Sequence, residues 1–204
     1  MQIETADLII NANKILPIAP NFVELTDCSV VINNGVIVAL VPQSEALKRY
    51  EATEVVDLGN HVLLPGLVNC HGHAAMSLFR GLADDKPLDK WLKEDIWPSE
   101  SRWVSEEFVA DGSELAMAEM ISSGTTCFSD MYFFPEVTAK LVNEVGLRAQ
   151  LAFPVLDFET PWAKDCDEAL RKGLGMFDDY RSHERISIAF GPHAPYTVSD
   201  ELFV

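Results

Sequence analysis

The chain has 204 residues, of which 48% are hydrophobic, so it is long enough and apolar enough to bury a core. Its 15 basic and 32 acidic residues give a formal net charge of -17. This acidic excess repels nucleic acid phosphates and anionic membrane surfaces. We therefore expect a globular protein that binds neither nucleic acid nor a membrane.

The amino terminus and the cysteines indicate a reducing compartment. Residues 1–20 carry acidic and amide side chains where a signal peptide would have a basic start and an unbroken apolar stretch. The four cysteines are widely spaced and form no CxxC pair, which is typical of buried, reduced thiols. We expect a cytoplasmic protein with no disulfide and no cysteine-ligated zinc.

Residues 1–62 show the pattern of a small β-rich module, which we predict to be of the β-sandwich type and mostly antiparallel. Three β-branched runs, 7–13, 28–41 and 53–64, are separated by turn residues. The Asn34-Gly35 pair interrupts the second run and predicts a tight hairpin, because a type I′ turn needs positive φ at both central residues.

Residues 63–204 alternate apolar strand candidates with helical patterns, which predicts parallel βαβ units. The strand candidates are 67–71, 125–132, 148–156 and 186–193, and the helix candidates are 105–122, 135–145 and 165–180. Four such units predict an α/β fold containing the first half of a (β/α)8 TIM barrel, in which chemistry lies at the carboxyl ends of the strands. A doubly wound open sheet is the alternative, but its GxGxxG phosphate loop is missing.

The motif His71-Gly72-His73 lies at the end of the first predicted barrel strand. Residues i and i+2 of an extended strand project to the same side, so both imidazoles can reach one metal ion. Neutral imidazole suits zinc, iron, nickel or copper. Without its context, the pair fits two polar residues at a solvated strand end about as well.

That context resembles the PGxxxxHxH opening of the amidohydrolase superfamily. The similarity continues along the chain in the segments LPGLVNCHGH at 64–73, WL at 91–92, WPSE at 97–100, SGTT at 123–126, DMY at 130–132 and GPHAPY at 191–196. Together these motifs resemble the branch of hydrolytic deaminases that act on 5′-methylthioadenosine and S-adenosylhomocysteine, whose relatives include chlorohydrolases and guanine deaminases. The resemblance covers the whole chain.

The resemblance assigns roles to four residues. It implies that His71 and His73 are metal ligands, that Glu100 accepts hydrogen bonds from the ribose hydroxyls, and that His193 contacts the purine or the reacting carbon. A carboxylate suits the ribose because it accepts from two adjacent O–H groups. Without the resemblance, Glu100 is a solvated charge at a helix end and His193 a core histidine.

The resemblance also implies one divalent metal ion, zinc or else iron. Amidohydrolases with two metals bridge them with a lysine on the fourth strand, and the predicted strand 186–193 contains no lysine. The proton-shuttle glutamate and further metal-binding histidine and aspartate residues belong to later strands of the family's barrel. We therefore expect the catalytic residues to lie beyond Val204.

The expected reaction is hydrolytic deamination of an adenosine-type nucleoside (5′-methylthioadenosine, adenosine or S-adenosylhomocysteine) to the inosine analogue and ammonia, as a step of purine metabolism. Phe153 stands where related proteins place a carboxylate-binding arginine, which favours a thiomethyl group, although Arg148 and Lys164 are nearby cations. Guanine deaminase and chlorohydrolase activities remain alternatives.

The sequence leaves two alternative roles for Asp130 and for three tryptophans near the motifs. Asp130 closes the second predicted barrel strand and either faces the pocket or caps the next helix. Trp91, Trp97 and Trp103 either wall the site or pack in the core.

The length of the barrel region is compatible with three interpretations of how the barrel is completed. Roughly 142 residues follow residue 62, against about 250 in a complete barrel. This is consistent with the amino-terminal half of a longer enzyme, which we expect to be a homo-oligomer, or with a fragment completed by another chain. A non-catalytic half-barrel that serves only in binding or assembly is the third interpretation.

Overall fold

The computed structural model describes residues 3–203 of the chain. These residues divide into two compact units, one ending at Pro65 and the other beginning at Gly66. Each unit has its own sheet and its own hydrophobic core. Within the described residues, no helix has the length and apolar character needed to cross a bilayer.

The first unit is a five-stranded sheet with one short helix. Its elements are β1 (Glu4–Ile15), β2 (Leu25–Asn33), β3 (Val36–Pro42), α1 (Gln43–Arg49), β4 (Tyr50–Asp57) and β5 (Val62–Leu63). The strand order is β3-β2-β1-β4, and β5 also pairs with β1. The predicted hairpin forms between β2 and β3, where Asn34 and Gly35 both have positive φ.

The strand pairing corrects the prediction of a mostly antiparallel, sandwich-type module, because residues 3–65 form a single mixed sheet. Strand β1 is antiparallel to β2 but parallel to β4 and β5. Consecutive strands that run in the same direction in one sheet need a crossover connection. Helix α1 provides it between β3 and β4. Ala46 of α1 is buried with Ile9 and Val31, so the helix covers one face of the sheet.

The second unit is built on four parallel strands in consecutive order. They are β6 (Leu67–Asn69), β7 (Thr125–Met131), β8 (Arg148–Val155) and β9 (Ile186–Pro192). The connecting helices are α4 (Glu106–Ser122), α5 (Pro135–Val145) and α6 (Cys166–Tyr180). A doubly wound sheet reverses its strand order at a switch point, whereas consecutive order is the arrangement along a (β/α) barrel.

The long connection from β6 to α4 is helical, which the sequence pattern did not predict. It contains a 3₁₀ helix (Ala74–Phe79), then α2 (Leu88–Lys90), a π-helix (Trp91–Ile96) and α3 (Trp97–Trp103) without a break between the last three. The final helix, α7, spans Asp200–Phe203. Single π-helical turns inside longer helices are frequent at functional sites, and this one borders the pocket described below.

The core of the second unit lies between the sheet and its helices. Met117 of α4, Val142 of α5 and Met176 of α6 pack with Phe128 and Leu151 of the strands. This packing fixes the strands from their helical side. The carboxyl ends of the strands carry the polar residues considered next.

Candidate active site

The two histidines of the HxH motif lie in the loop after β6, not on the strand. The strand ends at Asn69, so the prediction that strand alternation aligns the two rings is wrong. The loop nevertheless brings them together, with ring centroids 5.2 Å apart and ring planes 80° apart. Two imidazoles bound to one tetrahedral zinc, with Zn–N bonds of about 2.0–2.1 Å, would have centroids about 5 Å apart. The pair therefore fits a single ion.

A backbone contact fixes the orientation of the His73 ring. Its Nδ1 lies 2.8 Å from the carbonyl oxygen of Met131. Because a carbonyl only accepts, Nδ1 carries the hydrogen, and Nε2 keeps its lone pair. Metal-binding histidines are commonly held in this way, with the other ring nitrogen donating to a carbonyl or carboxylate. His73 is thus prepared to ligate through Nε2.

The histidine pair does not by itself make a complete metal site. Among residues 3–203, no group of three or more histidine, cysteine, aspartate or glutamate side chains is arranged to hold a metal ion. Catalytic zinc ordinarily takes three protein ligands. His71 and His73 therefore fit two ligand positions and do not complete a site by themselves.

His73 borders a pocket of about 150 Å³ with largely apolar walls. The aromatic residues that line it are Trp91, Trp97, Tyr132, Phe133 and Phe158, and the other polar groups include Glu100, Glu159 and His193. The sequence left the role of the three tryptophans open. Trp91 and Trp97 line the pocket, whereas Trp103 is 56% exposed and does not line it.

Glu100 faces this pocket from helix α3. The phenol of Tyr132 donates a 2.9 Å hydrogen bond to its Oε1. Burial raises the pKa of the Glu100 carboxyl, and the Tyr132 hydrogen bond partly opposes that rise. Burial, followed by the Glu100 charge, raises the pKa of the Tyr132 phenol, so Tyr132 stays a donor. A carboxylate offers about four acceptor positions, of which Tyr132 occupies one.

His193 follows β9 and borders the same pocket as His73. Its Nδ1 lies 2.9 Å from the hydroxyl of Thr197, which donates its own hydrogen to the carbonyl of Ala194. Because the hydroxyl has one hydrogen, Nδ1 of His193 donates and Nε2 retains a lone pair. Burial, and then the neighbouring His73, lower the pKa of His193. The imidazole is therefore neutral at pH 7.

Asp130 has a role that the sequence did not indicate. It does not line the pocket and does not cap helix α5. Instead, its Oδ1 accepts a 2.6 Å hydrogen bond from the backbone N–H of Ala74. The side chain is 4% exposed. Burial raises its pKa to about 7, although the Ala74 hydrogen bond lowers it. The partner is 56 residues away along the chain, so no local pattern could have revealed it.

The interpretation of Phe153 as a substrate contact is wrong. Phe153 is 1% exposed and packs against Phe190, and a Cβ at Gly173 of α6 would collide with its ring. Successive strand residues face opposite sides of a sheet, and Pro154 is the one that faces the pocket. The nearby cations Arg148 and Lys164 also lie outside the pocket lining.

A wall of the pocket that sequence reasoning missed is the loop after β8. Phe158, Glu159, Thr160 and Pro161 all line the pocket. The loop is anchored by buried Trp162, whose indole N–H donates to the carboxylate of Glu136 and whose carbonyl accepts from Lys172. The Trp97 and Phe158 rings meet edge to face with centroids 5.9 Å apart.

Consecutive parallel strands with candidate metal ligands and a pocket at their carboxyl ends define a TIM-barrel type of α/β protein. The chain belongs to the amidohydrolase family, whose model matches residues 62–204. A 5-methylthioadenosine/S-adenosylhomocysteine deaminase from Teredinibacter turnerae is 55% identical over 196 residues, which are 96% of this chain and 44% of that protein. A 5′-deoxyadenosine deaminase from Methanococcoides burtonii is 42% identical over 200 residues, covering 96% and 44%.

A solved structure agrees with these sequence matches. The zinc-bound adenosine deaminase from Xanthomonas campestris superposes with a TM-score of 0.96 at 44% identity, covering 99% of this chain and 46% of that one. The chain thus spans about half the length of the relatives it matches.

Proposed function

We propose that this chain forms part of the active site of a metal-dependent hydrolase that deaminates an adenosine-type nucleoside to the inosine analogue and ammonia. The observation that carries the proposal is that His73, Glu100 and His193 border one aromatic-walled pocket. The names of the matched relatives support it, since each describes deamination of an adenosine-type compound.

His71 and His73 would hold one divalent ion, with zinc as the first choice because of the zinc-bound relative and iron as the second. When bound, such an ion makes a nucleophile available from water at neutral pH. His73 contributes a ring fixed by the Met131 carbonyl, so its Nε2 needs no reorientation to bind. The remaining ligands and the proton-shuttle carboxylate are proposed to come from polypeptide beyond this sequence.

Glu100 would accept hydrogen bonds from the two ribose hydroxyls. Tyr132 holds one of its oxygens by a hydrogen bond, which fixes the direction of the carboxylate. Charge-assisted bonds from hydroxyls to a partly desolvated carboxylate are stronger than bonds between neutral groups. This contact would favour binding of nucleosides over free bases, which lack the ribose.

His193 would bind the purine with the lone pair on Nε2. A neutral imidazole whose Nδ1–H is held by Thr197 presents an acceptor to an N–H of the substrate. Trp97 and Phe158 offer apolar faces for the base or the 5′ group. The residues that bind and orient the nucleoside would thus come from three connections: the one between β6 and α4, the one after β8 and the one after β9.

The charge of the pocket favours 5′-methylthioadenosine or adenosine over S-adenosylhomocysteine. Among the described residues that line it there is no lysine or arginine, while Glu100 and Glu159 are both acidic. An amino-acid carboxylate or a phosphate would therefore meet like charge. This argument replaces the one based on Phe153, whose ring lies in the core.

A guanine deaminase or chlorohydrolase would act on a compound without ribose, and the Glu100 test separates these alternatives. In the full-length protein that carries this chain, kcat/KM is measured for adenosine, 5′-methylthioadenosine, S-adenosylhomocysteine, adenine, guanine and a chlorotriazine. Glu100→Gln should lower kcat/KM for nucleosides more than for adenine, with Glu106→Gln as the exposed control on α4. A preference for guanine or the chlorotriazine would contradict the proposal, and no turnover of any compound would favour a binding or assembly module.

A further inference from the structure

Two consecutive residues at the end of β7 hold the loop that carries the metal ligands. The Asp130 carboxylate accepts from the N–H of Ala74 at 2.6 Å, and the Met131 carbonyl accepts from Nδ1 of His73 at 2.8 Å. The N–H of Met131 donates to the carbonyl of Gly72 at 3.1 Å. Three successive loop residues are therefore each bound to β7, with His73 in the middle.

The loop is also confined sterically on both sides. A Cβ at Gly72 would lie 3.2 Å from the carbonyl oxygen of Ser129 on β7. A Cβ at Gly112 of α4 would collide with the backbone of Ala75, the residue after Ala74. The loop thus has little room to move between β7 and α4. Of its three bonds to β7, only the one to Asp130 uses a side chain of β7, so only that bond can be removed by a substitution that leaves His73 in place.

We propose that Asp130 is a positioning residue for His73: its carboxylate fixes the peptide that follows the ligand, so that the His73 ring stays in line with the Met131 carbonyl. This inference rests on the proposed metal site. Asp130 is 4% exposed and lines no part of the pocket, so it acts through the loop and not by touching the substrate. Without it, the Ala74 N–H loses its partner, and the His73 ring gains freedom that binding must remove.

The measurable consequence is a loss of zinc affinity. Residues that hold metal-binding histidines in place typically contribute about 10–100-fold to metal affinity, and Asp130→Ala should cost an amount in this range. Asp130→Asn keeps an oxygen that can accept from Ala74 and should bind zinc close to the wild-type affinity. If Asp130→Ala does not fold, Asp130→Ser, whose side chain is too short to reach Ala74, takes its place with the same expectation.

The experiment measures the zinc Kd of the full-length protein by chelator competition, together with the Tm of the metal-free form. Thr138→Val is the matched control, because Thr138 is also buried and its hydroxyl bonds that of Ser113, between α4 and α5. The control should lower the Tm without changing the zinc Kd. Asp130→Ala should change both.

Two outcomes would overturn the positioning role. If Asp130→Ala lowers only the Tm, as Thr138→Val does, the residue is merely structural. If Asp130→Asn binds zinc as weakly as Asp130→Ala, the negative charge matters and the hydrogen bond does not. A zinc Kd that stays unchanged in His73→Ala would instead refute the proposed metal site itself, and this failure is distinguishable from the first two.

Discussion

The two units both carry polar groups on or just after their strands, but they use them differently. In the first unit, Asn11 of β1 donates to Asp57 of β4 at 2.6 Å and accepts from Ser29 of β2 at 2.5 Å. These groups satisfy one another across neighbouring strands. In the second unit, His73 and His193 each use one ring nitrogen to fix orientation and keep the other as an acceptor at the pocket.

The comparison shows how to separate a structural polar group from a candidate functional one. In this closed network, Asn11, Asp57 and Ser29 bond one another and none of them lines the pocket, so their bonds contribute to stability. A side chain that is held on one side and faces a pocket on the other is oriented for binding. We therefore expect substitutions in the first unit to change stability and substitutions at the strand ends of the second unit to change binding and catalysis.

The largest expected difference is between His73 and His61. Both donate from Nδ1 to a backbone carbonyl, at 2.8 and 2.9 Å, but His61 is an exposed residue of the first unit. His73→Ala should remove most bound zinc and reduce kcat/KM by about 10³-fold or more, whereas His61→Ala should change neither. Metal analysis and ammonia release from adenosine measure both effects. Full zinc content in His73→Ala would erase the distinction between the units.

The next effect is a pH dependence of stability caused by Asp130. Burial raises its pKa from the ordinary value of 3.8 to about 7 in the folded chain, so the native state binds the proton more tightly than the unfolded state does. This contribution is fully present below about pH 4 and is lost as the pH rises through about 7. The metal-free wild type should lose up to about 4 kcal/mol of unfolding free energy over that range relative to Asp130→Asn. Parallel pH profiles for the two proteins would contradict the burial argument.

A smaller effect is expected in the closed network of the first unit. Asn11→Ala removes the acceptor of the fully buried Ser29 hydroxyl, which should cost about 1–3 kcal/mol of stability. Zinc content and kcat/KM should stay at wild-type values. Denaturant unfolding measures the loss of stability, and ammonia release measures kcat/KM. A Glu54→Gln variant, at an exposed position of β4, is the control for stability.

The smallest effect concerns the charge of the pocket wall. Glu159→Gln removes an exposed carboxylate and should raise kcat/KM for a 5′-phosphorylated adenosine by about threefold, with little change for adenosine. Glu184→Gln makes the same charge change at a residue outside the pocket lining. An equal gain in both variants would mean that the overall charge of the protein, and not the charge of the pocket wall, disfavours the phosphorylated nucleoside.

Much of the second unit could be predicted from its sequence. The strand predicted at 125–132 is observed as Thr125–Met131, and that at 148–156 as Arg148–Val155, because long apolar runs bounded by turns are strong signals. The helical segments between 74 and 103 were missed because each is short, and because the 3₁₀ and π turns among them do not follow the 3.6-residue period of an α-helix.

The errors have physical causes as well. The side of β8 that Phe153 faces could not be predicted, because parallel strands are buried on both faces and lack an apolar-polar alternation. The bond between Asp130 and Ala74 depends on tertiary proximity alone. The parallel pairing of β4 with β1 likewise depends on the crossover through α1, which a hairpin-rich pattern does not indicate.

The central claim is tested most directly by metal removal and restoration in the full-length protein that carries this chain. Ammonia release from adenosine and from 5′-methylthioadenosine is measured before chelation, after chelation and after adding one equivalent of zinc. We predict that activity is lost with the metal and returns with zinc in the wild type but not in His73→Ala. Deamination that persists without metal, or a zinc-loaded protein that releases no ammonia from either nucleoside, would contradict the account.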